Sequence, residues 1–357
     1  MRAVVLVGGE GTRLRPLTYA VPKQMLPVAE VPLIERVLAH LVSHGVTDVV
    51  LSLGYRPDAF IDAYPDGRCA GATLAYAVEE QPLDTAGAIR FAAVQAGIDD
   101  SFLVFNGDVL SDLDLTALVQ FHRARGAEGT IALTPVADPS PFGVVPTAPD
   151  GRVLAFIEKP APGTAPTNLI NAGAYVLETS VLDRIAPEGR VNVERVTFPA
   201  MVEARTLFAL PTDGYWVDVG TPERYLQATA DLLTGRRAGP PVRGARPVGE
   251  GSWAVGTARN EGSAAQSLLG EGAVVAAGAM VGTSVVGCGA MVGEGAVVER
   301  AVLLEGACVE KGAEVRESIV GPRAVVGAGA VLRALTVVGA GARVGAGSLH
   351  EGAHLPA

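Results

Sequence analysis

The opening segment of the chain combines residue types that can bind a negatively charged group. An apolar run, Ala3 to Val7, is followed by three glycines, two arginines and an isolated lysine in the stretch GGEGTRLRPLTYAVPK. Glycines allow consecutive backbone N–H groups to approach a phosphate closely, and guanidinium and ammonium groups supply positive charge. The segment is therefore a candidate phosphate-binding loop, with a simple turn after a strand as the alternative.

The spacing of these glycines excludes two common phosphate-binding loops. GGEGTR matches neither the G-x-G-x-x-G pattern of dinucleotide-binding turns nor the G-x-x-x-x-G-K-[ST] pattern of P-loops. Lysine usage favours phosphate binding, because only Lys23, Lys159 and Lys311 among the 28 basic residues are lysines. A lysine kept in a chain that otherwise uses arginine indicates a position that needs an ammonium group.

The longer motif, GGEGTRLRPLT followed by PKQMLPV, closely resembles the signature of the sugar-1-phosphate nucleotidylyltransferases. In that family the glycine loop wraps a nucleoside triphosphate, and the residues that correspond to Arg13 and Lys23 stabilise the phosphates during transfer. Attack on an α-phosphate needs positive charge and N–H donors along the triphosphate more than covalent help from the protein. The resemblance implies an enzyme that joins an NTP and a sugar 1-phosphate and releases pyrophosphate.

Two further motifs resemble the metal-binding motifs of the family. FLVFNGDVL resembles a strand that ends in a metal-binding aspartate, here Asp108, and YWVDVGTPERY resembles the second motif, which makes Asp218 the partner ligand. Two carboxylates with phosphate oxygens form a hard oxygen site that suits Mg²⁺. The ion would offset the repulsion between the α-phosphate and the incoming sugar phosphate. If this motif stood alone, a helix cap ahead of LSDLDL would be the favoured interpretation of Asp108.

The motifs FGVV, FIEKP, INAGAYVL and VNVERVTFP resemble the sugar-phosphate side of the family site. The sugar-phosphate-binding residues that the resemblance implies are Gly143, Glu158, Lys159, Asn171, Gly173 and Glu194. Lys159 would hold the phosphate of the sugar, Glu158 and Asn171 its hydroxyls, and the two glycines would allow close backbone approach. Glu194 is equally compatible with an exposed helix pair, because Val196 replaces the acid usual in guanylyl-transferring members.

The segment EEQPLDTAGAI resembles the base-recognition segment E-E-x-P-L-G-T-A-G of mannose-1-phosphate guanylyltransferases. A carboxylate, here Glu80, can accept hydrogen bonds from N1–H and the exocyclic amine of guanine, which thymine does not offer. Asp84 stands where that family has glycine, and Gln24 where it has proline, and both departures resemble thymidylyltransferases. GTP and mannose 1-phosphate are the leading pair. Thymidylyl or adenylyl transfer to glucose 1-phosphate, and guanylyl transfer to another sugar or cyclitol phosphate, stay open.

The resemblance also implies which residues contact the nucleotide. The nucleotide-binding residues are Leu6, Gly8, Gly9, Gly11, Thr12, Arg13, Glu80, Thr85, Gly87, Asn106 and Gly107. The catalytic residues are Arg13, Lys23, Asp108 and Asp218, of which the two aspartates hold the metal.

Residues 1–235 must position these groups, and their pattern predicts an α/β fold. Short apolar runs alternate with amphipathic stretches, which favours a Rossmann-like mixed, mainly parallel sheet. The predicted strands are 3–7, 48–53, 74–78, 102–106, 130–136, 144–146, 153–157 and 170–177, and the predicted helices are 32–44, 85–96 and 222–234. The last helix has Thr221 as its cap, Pro222 in its first turn and Gly235 past its end.

The end of the chain is a repeat of a different kind. Residues 236–262 are rich in Gly, Pro and Arg, which predicts a linker. In 263–357 an aliphatic residue recurs every six positions, with five-residue steps at Leu304–Val309 and Val315–Val320. A period of six is the hexapeptide signature of a β-solenoid. Such repeats resemble the left-handed parallel β-helix, and an open solenoid end favours a homo-oligomer.

Composition limits the partners. The net charge of −10 disfavours nucleic acid and anionic membranes and leaves small-molecule substrates as the expected partners. Cys69, Cys288 and Cys308 are scattered without a C-x-x-C pair, which is typical of reduced thiols. The short apolar run at the start is not a signal peptide, and no apolar run is long enough to span a bilayer. We therefore expect a cytoplasmic protein.

Two other classes of protein share parts of these patterns. Left-handed β-helices often belong to acyltransferases, which place a histidine within or between coils as a base. Here only His350 and His354 follow the last regular repeat, which disfavours acyl transfer. A non-catalytic nucleotide-sugar sensor or regulatory subunit usually loses the loop arginine, the lysine or an aspartate, and this chain keeps all of them.

Overall fold

The computed structural model describes residues 1–237 and 241–357. Contacts divide the chain into two units: Met1–Gly9 with Ile34–Trp216, and Glu10–Leu33 with Val217–Ala357. The boundaries predicted at residues 235 and 263 stay predictions, and residues 238–240 of the predicted linker lie outside the described residues. No helix in the described ranges is both long and apolar enough to cross a membrane.

The helices and strands are numbered in chain order. The helices are α1 Leu33–Ser43, α2 Asp58–Ala63, α3 Asp84–Gln95, α4 Leu115–Arg125, α5 Phe198–Glu203 and α6 Pro222–Leu233. The strands before the repeat are β1 Arg2–Leu6, β2 Pro27–Val28, β3 Val31–Pro32, β4 Asp48–Leu53, β5 Arg68–Cys69, β6 Ala72–Val78, β7 Phe102–Asn106, β8 Val109–Ser111, β9 Gly129–Pro135, β10 Gly143–Val144, β11 Ile157–Glu158, β12 Leu169–Leu177, β13 Leu207–Pro211 and β14 Trp216–Asp218.

The first unit contains a ten-stranded mixed sheet, as the sequence predicts. Its main path runs β11-β10-β12-β7-β1-β4-β6-β5, and β9 pairs with both β12 and β13. Strands β7, β1, β4 and β6 are parallel neighbours, and β12 is antiparallel to β7. The central strands are apolar and buried on both faces, which is why they show continuous hydrophobic runs instead of alternation.

The carboxyl ends of the parallel strands meet at one edge of this sheet. Leu6 is in register with Asn106, and Leu53 is in register with Val78. The glycine loop after β1, the Asn-Gly-Asp turn after β7 and the Glu-Glu pair after β6 therefore leave the sheet from the same edge. Ligands bind at such an edge in open α/β sheets.

Most elements of the first unit lie where the sequence predicts them. Asp48–Leu53 and Phe102–Asn106 have the predicted bounds, and the first helix differs from its prediction by one residue at each end. The strand predicted at 153–157 is wrong. Val153 forms only an isolated bridge, and the nearby ladder is the short strand Ile157–Glu158. The run at 153–157 is apolar, but β10, the strand that pairs with Ile157–Glu158, is only two residues long.

The second unit contains the parallel β-helix that the hexapeptide pattern predicts. Its strands form three sheets of parallel neighbours, with one antiparallel strand at the start. The first sheet has β15 Arg246–Gly249, β16 Ser252–Ala254, β19 Leu268–Leu269, β22 Val285–Val286, β25 Val302–Leu303, β28 Ile319–Val320, β31 Val337–Val338 and β34 His354–Leu355. The second has β17 Arg259–Asn260, β20 Val274–Val275, β23 Met291–Val292, β26 Cys308–Val309, β29 Val325–Val326 and β32 Arg343–Val344. The third has β18 Ser263–Ala265, β21 Met280–Gly282, β24 Val297–Glu299, β27 Glu314–Arg316, β30 Val331–Arg333 and β33 Leu349–Glu351.

The β-helix begins earlier than the repeat pattern predicts. Strands from Arg246 onward already pair within its sheets, although they lie in the stretch that the sequence analysis assigns to a linker. The first coil fills its core with alanines, Ala254 and Ala264, where later coils use valine and leucine. A core of small residues does not produce the aliphatic period by which the repeat is recognised in the sequence.

Coil length is decided at one corner of the β-helix. Leu268 pairs with Val285, and Val285 with Val302, at a separation of 17 residues, whereas Ile319 pairs with Val337 at a separation of 18. A coil of three full hexapeptides therefore occurs only in the last of these steps. The shorter coils have one residue fewer in the corner between the third and the first sheet.

One predicted five-residue step is wrong. Leu303 and not Leu304 joins the central core, so that the short step falls between Val298 and Leu303 and not at Leu304–Val309. The step at Val315–Val320 is as predicted. Because two leucines are adjacent, the sequence pattern does not show which one points inward. The pairing between neighbouring coils determines that Leu303 does.

Candidate active site

The signature segment that follows β1 is folded into short turns. Gly11 has a φ of +61°, and a Cβ placed on it would lie 2.9 Å from Thr18 Cγ2 and 3.2 Å from Lys23 Cβ. The Thr18 hydroxyl donates a hydrogen bond to the Gly11 carbonyl oxygen at 2.8 Å. Glycine is required at position 11, because a side chain would be strained and would displace Lys23.

Arg13 and Asp218 approach the same backbone position. A Cβ placed on Gly220 would lie 2.8 Å from Arg13 Nη2 and 3.0 Å from Asp218 Oδ1. Because Gly220 has no side chain, the guanidinium and the carboxylate fit at one place. The structure thus brings together two of the predicted catalytic residues. Gly220 itself is a site position that the sequence analysis missed, although it lies within the motif VDVGTP.

Helix α6 fixes the segment that carries Asp218. The Thr221 side chain caps the helix, Pro222 occupies its first turn, and Gly235 beyond its end has a φ of +75°, as predicted. The hydroxyl of Tyr225, which is fully buried, donates a hydrogen bond to the carbonyl oxygen of Pro27. Through this bond the same helix also holds the end of the signature segment.

In the first unit, the turn after β7 depends on Gly107. Its N–H donates to the carbonyl oxygen of Leu6 at 2.9 Å, and a Cβ placed on it would lie 2.6 Å from Val7 Cγ1. This close approach joins the ends of β7 and β1. Asn106 and Asp108, on either side of the glycine, are held partly exposed at the edge where the glycine loop leaves the sheet.

A bulge in β12 completes this part of the site. The pairing of β12 with β9 is irregular between Asn171 and Tyr175, and Gly173 has a φ of +75°. A Cβ on Gly173 would lie 2.6 Å from Asn106 Nδ2. Asn171 Nδ2 donates to the Tyr175 hydroxyl, and Asn171 Oδ1 accepts from the Gly173 N–H, both at 2.9 Å. The bulge therefore places Gly173 against Asn106 at the end of β7 and fixes the Asn171 side chain by two hydrogen bonds.

Three predicted site carboxylates surround Tyr175. Burial raises the pKa of the Tyr175 hydroxyl above its usual range, and the negative charges of Glu194, Glu158 and Asp108 raise it further. Burial also raises the pKa of Glu194. Residues that are far apart in the sequence are thus neighbours here, and they concentrate negative charge that a bound cation would offset.

Glu158 and Lys159 form an ion pair next to Gly143. The Lys159 ammonium lies 3.2 Å from Glu158 Oε1, and the lysine side chain is 62% exposed while the glutamate side chain is 22% exposed. A Cβ on Gly143 would lie 2.7 Å from Phe156 Cε1 and 3.1 Å from Glu158 Oε2. Lys159 has a φ of +49°, a strained backbone conformation for a residue with a side chain. The exposed ammonium, paired with Glu158, lies where an anion can reach it.

The two glutamates after β6 have different environments. Glu79 Oε2 accepts from the Leu83 N–H at 3.0 Å, and Glu79 Oε1 accepts from the Ser52 hydroxyl at 3.2 Å, so this carboxylate is used to hold the loop. Glu80 is exposed and makes no hydrogen bond or ion pair with any residue in 1–237 or 241–357. Of the two, Glu80 is the carboxylate that can accept hydrogen bonds from a base.

The Asp84 carboxylate is hydrogen-bonded within the protein. Its φ is +61°, a conformation that glycine adopts at lower cost than aspartate. Asp84 Oδ1 accepts from the Thr85 N–H at 2.8 Å and from Asn192 Nδ2 at 3.1 Å. The two donors stabilise the carboxylate by hydrogen bonds within the protein. Asn192 is a second position that the sequence analysis missed.

Thr85 and Gly87 link the base-recognition segment to the segment of Glu194. The Thr85 hydroxyl donates to Glu194 Oε2 at 3.0 Å and accepts from the Val193 N–H at 2.8 Å. The Gly87 N–H donates to the Val191 carbonyl oxygen at 3.2 Å. These contacts couple the two motifs, whose side chains the sequence analysis assigned to nucleotide and sugar phosphate separately.

The predicted site residues form two groups, one in each unit. The group of the second unit has Gly11, Thr12, Arg13, Lys23 and Asp218. The group of the first unit has Leu6, Gly8, Gly9, Glu80, Thr85, Gly87, Asn106, Gly107, Asp108, Gly143, Glu158, Lys159, Asn171, Gly173 and Glu194. That Asp108 and Asp218 share one metal ion stays a prediction.

Asp108 and Asp218 each offer carboxylate oxygens to a metal ion, and substrate oxygens would have to complete either set of ligands. No group of three or more His, Cys, Asp and Glu side chains in the described ranges is placed to hold a metal by itself. Asp108 stands in the acidic group around Tyr175, and Asp218 beside the Arg13 guanidinium. Two aspartates in such places supply hard oxygen ligands of the kind that Mg²⁺ prefers, with the remaining ligands coming from phosphates and water.

Comparison with known proteins gives matches along most of the chain. A family model described as nucleotidyl transferase matches residues 2–235, and one described as the GMPPB C-terminal domain matches residues 264–355. The mannose-1-phosphate guanylyltransferase of Mycobacterium tuberculosis is 44% identical over 283 residues, which cover 78% of this chain and 76% of that protein. The mannose-1-phosphate guanyltransferase of Gibberella zeae is 42% identical over 66% of this chain and 65% of its own length. The structure of HddC from Yersinia pseudotuberculosis complexed with GMP-PN aligns with a TM-score of 0.55 at 29% identity, covering 64% of this chain and 97% of that one.

Proposed function

The chain belongs to the nucleotidyl transferase family, and from this membership we propose that it makes GDP-mannose from GTP and mannose 1-phosphate. An oxygen of the sugar's phosphate attacks the α-phosphate of GTP, the bond from the α- to the β-phosphate breaks, and pyrophosphate leaves. The observation that carries the proposal is the meeting of Arg13 and Asp218 at Gly220 on the signature segment. Named relatives that are mannose-1-phosphate guanylyltransferases support the choice of substrates.

Each basic residue of the site binds a different phosphate group. Arg13 donates hydrogen bonds to the α-phosphate oxygens on which charge develops, and Lys23 holds the phosphate chain within the glycine turns. Lys159, which is turned outward beside Glu158, orients the attacking sugar phosphate. Proper placement of the two phosphates supplies most of the rate enhancement expected for such a transfer.

The neutral and acidic side chains of the site bind the sugar hydroxyls and the metal ion. Asn171, held by Tyr175 and Gly173, and Glu158 bind hydroxyls of the sugar. Asp108 and Asp218 would hold a Mg²⁺ ion. When bound, the ion supplies positive charge that offsets the repulsion between the reacting phosphates.

The proposal is tested by a screen of pyrophosphate release that crosses GTP, dTTP, ATP, UTP and CTP with the 1-phosphates of mannose, glucose and galactose. We expect GTP with mannose 1-phosphate to give the highest kcat/KM. A higher value for dTTP or ATP with glucose 1-phosphate would replace the substrates and keep the reaction. No pyrophosphate release from any pair, with nucleotide binding retained, would favour a regulatory subunit.

Glu80 is expected to read the base. Glu80→Gln replaces one carboxylate acceptor by an amide N–H₂, which cannot accept from guanine, so we expect a rise in KM for GTP of about tenfold, the discrimination typical of one lost base contact. The change for dTTP should be small. The matched control is Glu79→Gln, whose carboxylate holds Leu83 and Ser52 and whose replacement should affect both nucleotides alike. Equal effects of Glu80→Gln on GTP and dTTP would contradict base reading.

We also propose that the protein works in the cytoplasm as a homo-oligomer that associates through the β-helix. Two exposed methionines on the outer faces of this domain, Met280 and Met291, support a protein contact there. Light scattering of the full-length protein should give a mass of at least two chains. A monomer mass at micromolar concentration would contradict the proposal.

A further inference from the structure

The signature segment, residues 10–33, is attached to the corners that follow one sheet of the β-helix. The hairpin β2–β3 carries Glu30, which has a φ of +66° and points its carboxylate at the second and third coils. Glu30 Oε2 accepts a hydrogen bond from the Cys288 N–H at 3.0 Å. Ala29 and Glu30 both have positive φ because they are the two central residues of a two-residue hairpin turn.

The corners that Glu30 meets consist of glycines. A Cβ placed on Gly270 would lie 2.7 Å from Glu30 Oε2, and one placed on Gly287 would lie 3.0 Å from Glu30 Oε1. These glycines follow β19 and β22 in successive coils. Their missing side chains leave room for the backbone of the next coil, which a Cβ on either glycine would meet at 2.6 Å, and also for the Glu30 carboxylate.

The other end of the segment meets later coils of the same sheet. A Cβ placed on Gly339, which follows β31, would lie 3.3 Å from Pro16 Cβ. His354 Nδ1, in β34, donates to the carbonyl oxygen of Arg15. The Gly287 and Gly339 corners are three coils apart. Because neighbouring coils are about 4.8 Å apart, the Glu30 anchor and the Pro16 anchor are separated by roughly 14 Å along the β-helix.

Burial keeps the Glu30 anchor in a low-dielectric place. Desolvation raises the pKa of the Glu30 carboxyl, the hydrogen bond from Cys288 opposes that rise, and the charge of Glu305 adds to it. A buried carboxylate is costly unless its acceptor positions are used. The Cys288 N–H of the β-helix backbone uses one of them, on Oε2, which argues for a specific attachment and not for incidental packing.

We propose that the β-helix is a positioning element for the transfer reaction, and that Glu30, seated on the Gly270 and Gly287 corners, sets the placement of Arg13 and Lys23. The segment between the two anchors contains Lys23, and Arg13 lies just before the Pro16 anchor. This inference rests on the proposed function. Glu30 touches neither substrate, so its role is positioning.

The experiment compares three variants of the full-length protein. Glu30→Ala removes the acceptor, Glu30→Gln keeps an amide oxygen that can accept from Cys288, and Glu310→Ala is the matched control. Glu310 also follows a β-helix strand and accepts a backbone N–H, from Ala328 at 2.9 Å, but it lies on the second sheet. Steady-state kcat and KM are measured for both substrates at saturating Mg²⁺, with thermal unfolding in parallel.

We expect Glu30→Ala to lower kcat by about tenfold or more, because displacements of about an ångström at catalytic groups have effects of this size. KM values should change less than kcat, Glu30→Gln should recover most of the loss, and Glu310→Ala should match the wild type. A kcat within twofold of wild type for Glu30→Ala overturns the inference. A loss as large for Glu30→Gln as for Glu30→Ala overturns the hydrogen-bonded role of Glu30.

A second pair of variants tests the inference independently, in case Glu30→Ala does not fold. Gly339→Ala adds a methyl group against Pro16, while Gly345→Ala adds one where no atom lies within 4 Å. Only the former should reduce kcat. Equal kcat in both variants overturns the second anchor. A wild-type protein that turns over no substrate pair contradicts the proposed function itself, and that outcome is distinct from an unaffected Glu30→Ala variant of an active enzyme.

Discussion

Replacement of Asp218 by alanine is expected to lower kcat by about 10³-fold and to leave the fold intact. A metal ion that bridges reacting phosphates supplies several kcal/mol of charge stabilisation, and each 1.36 kcal/mol corresponds to a factor of ten in rate. The same loss is expected for Asp108→Ala, because it removes one of the two carboxylates proposed to hold the ion. Pyrophosphate release at saturating GTP and mannose 1-phosphate measures both variants.

The control for both aspartates is Asp213→Ala, which removes an exposed carboxylate just before the Asp218 strand. It should keep wild-type turnover and wild-type dependence on Mg²⁺ concentration. Circular dichroism and thermal unfolding establish that each variant is folded. If either Asp108→Ala or Asp218→Ala kept wild-type turnover, that residue would not be a metal ligand.

Arg13→Ala is expected to lower kcat by about 10²- to 10³-fold, the usual effect of losing one donor to the transition state. The guanidinium lies at Gly220 beside Asp218, so its loss removes positive charge from the place where the α-phosphate is proposed to react. KM for GTP should change less than kcat, because the glycine turns and Lys23 remain. Single-turnover kinetics separates the chemical step from product release.

Arg15→Ala is the matched control for Arg13. The Arg15 side chain pairs with Glu10 at 2.6 Å and lies over the ring of Tyr19, so it is used within the segment. Its removal should cost far less turnover than removal of Arg13. A reduction below tenfold in Arg13→Ala would show that Arg13 is peripheral. Arg13→Lys should rescue only part of the loss, since an ammonium cannot reproduce the planar fork of donors.

The sequence by itself determined the two architectures, because each has its own period. Alternating apolar runs and amphipathic helices identify the mixed sheet, and a six-residue aliphatic period identifies the β-helix. Cap chemistry did the same locally for α6, where Thr221, Pro222 and Gly235 lie as predicted. The motifs also named Arg13 and Asp218, which the structure brings together at Gly220.

The local sequence pattern mispredicted elements whose structure depends on pairing between residues that are distant in the sequence. The coil corner at Leu303 depends on the neighbouring coil, and the run at 153–157 lacked a partner strand long enough to form a ladder. The first coil of the β-helix was missed because its core consists of alanines. In each case the residues nearby in sequence are compatible with both outcomes.

Only the tertiary structure decided how individual charges are used. Asp84 and Glu80 are both acids of one motif. Asp84 accepts a hydrogen bond from Asn192, which is more than a hundred residues away in the sequence, whereas Glu80 is exposed. The sequence around Glu30 is typical of a surface turn. Only the structure shows that its carboxylate accepts a hydrogen bond from the β-helix backbone. The physical reason is that a carboxylate's role is set by its donors and its burial, and these come from residues that the chain brings near only when it folds.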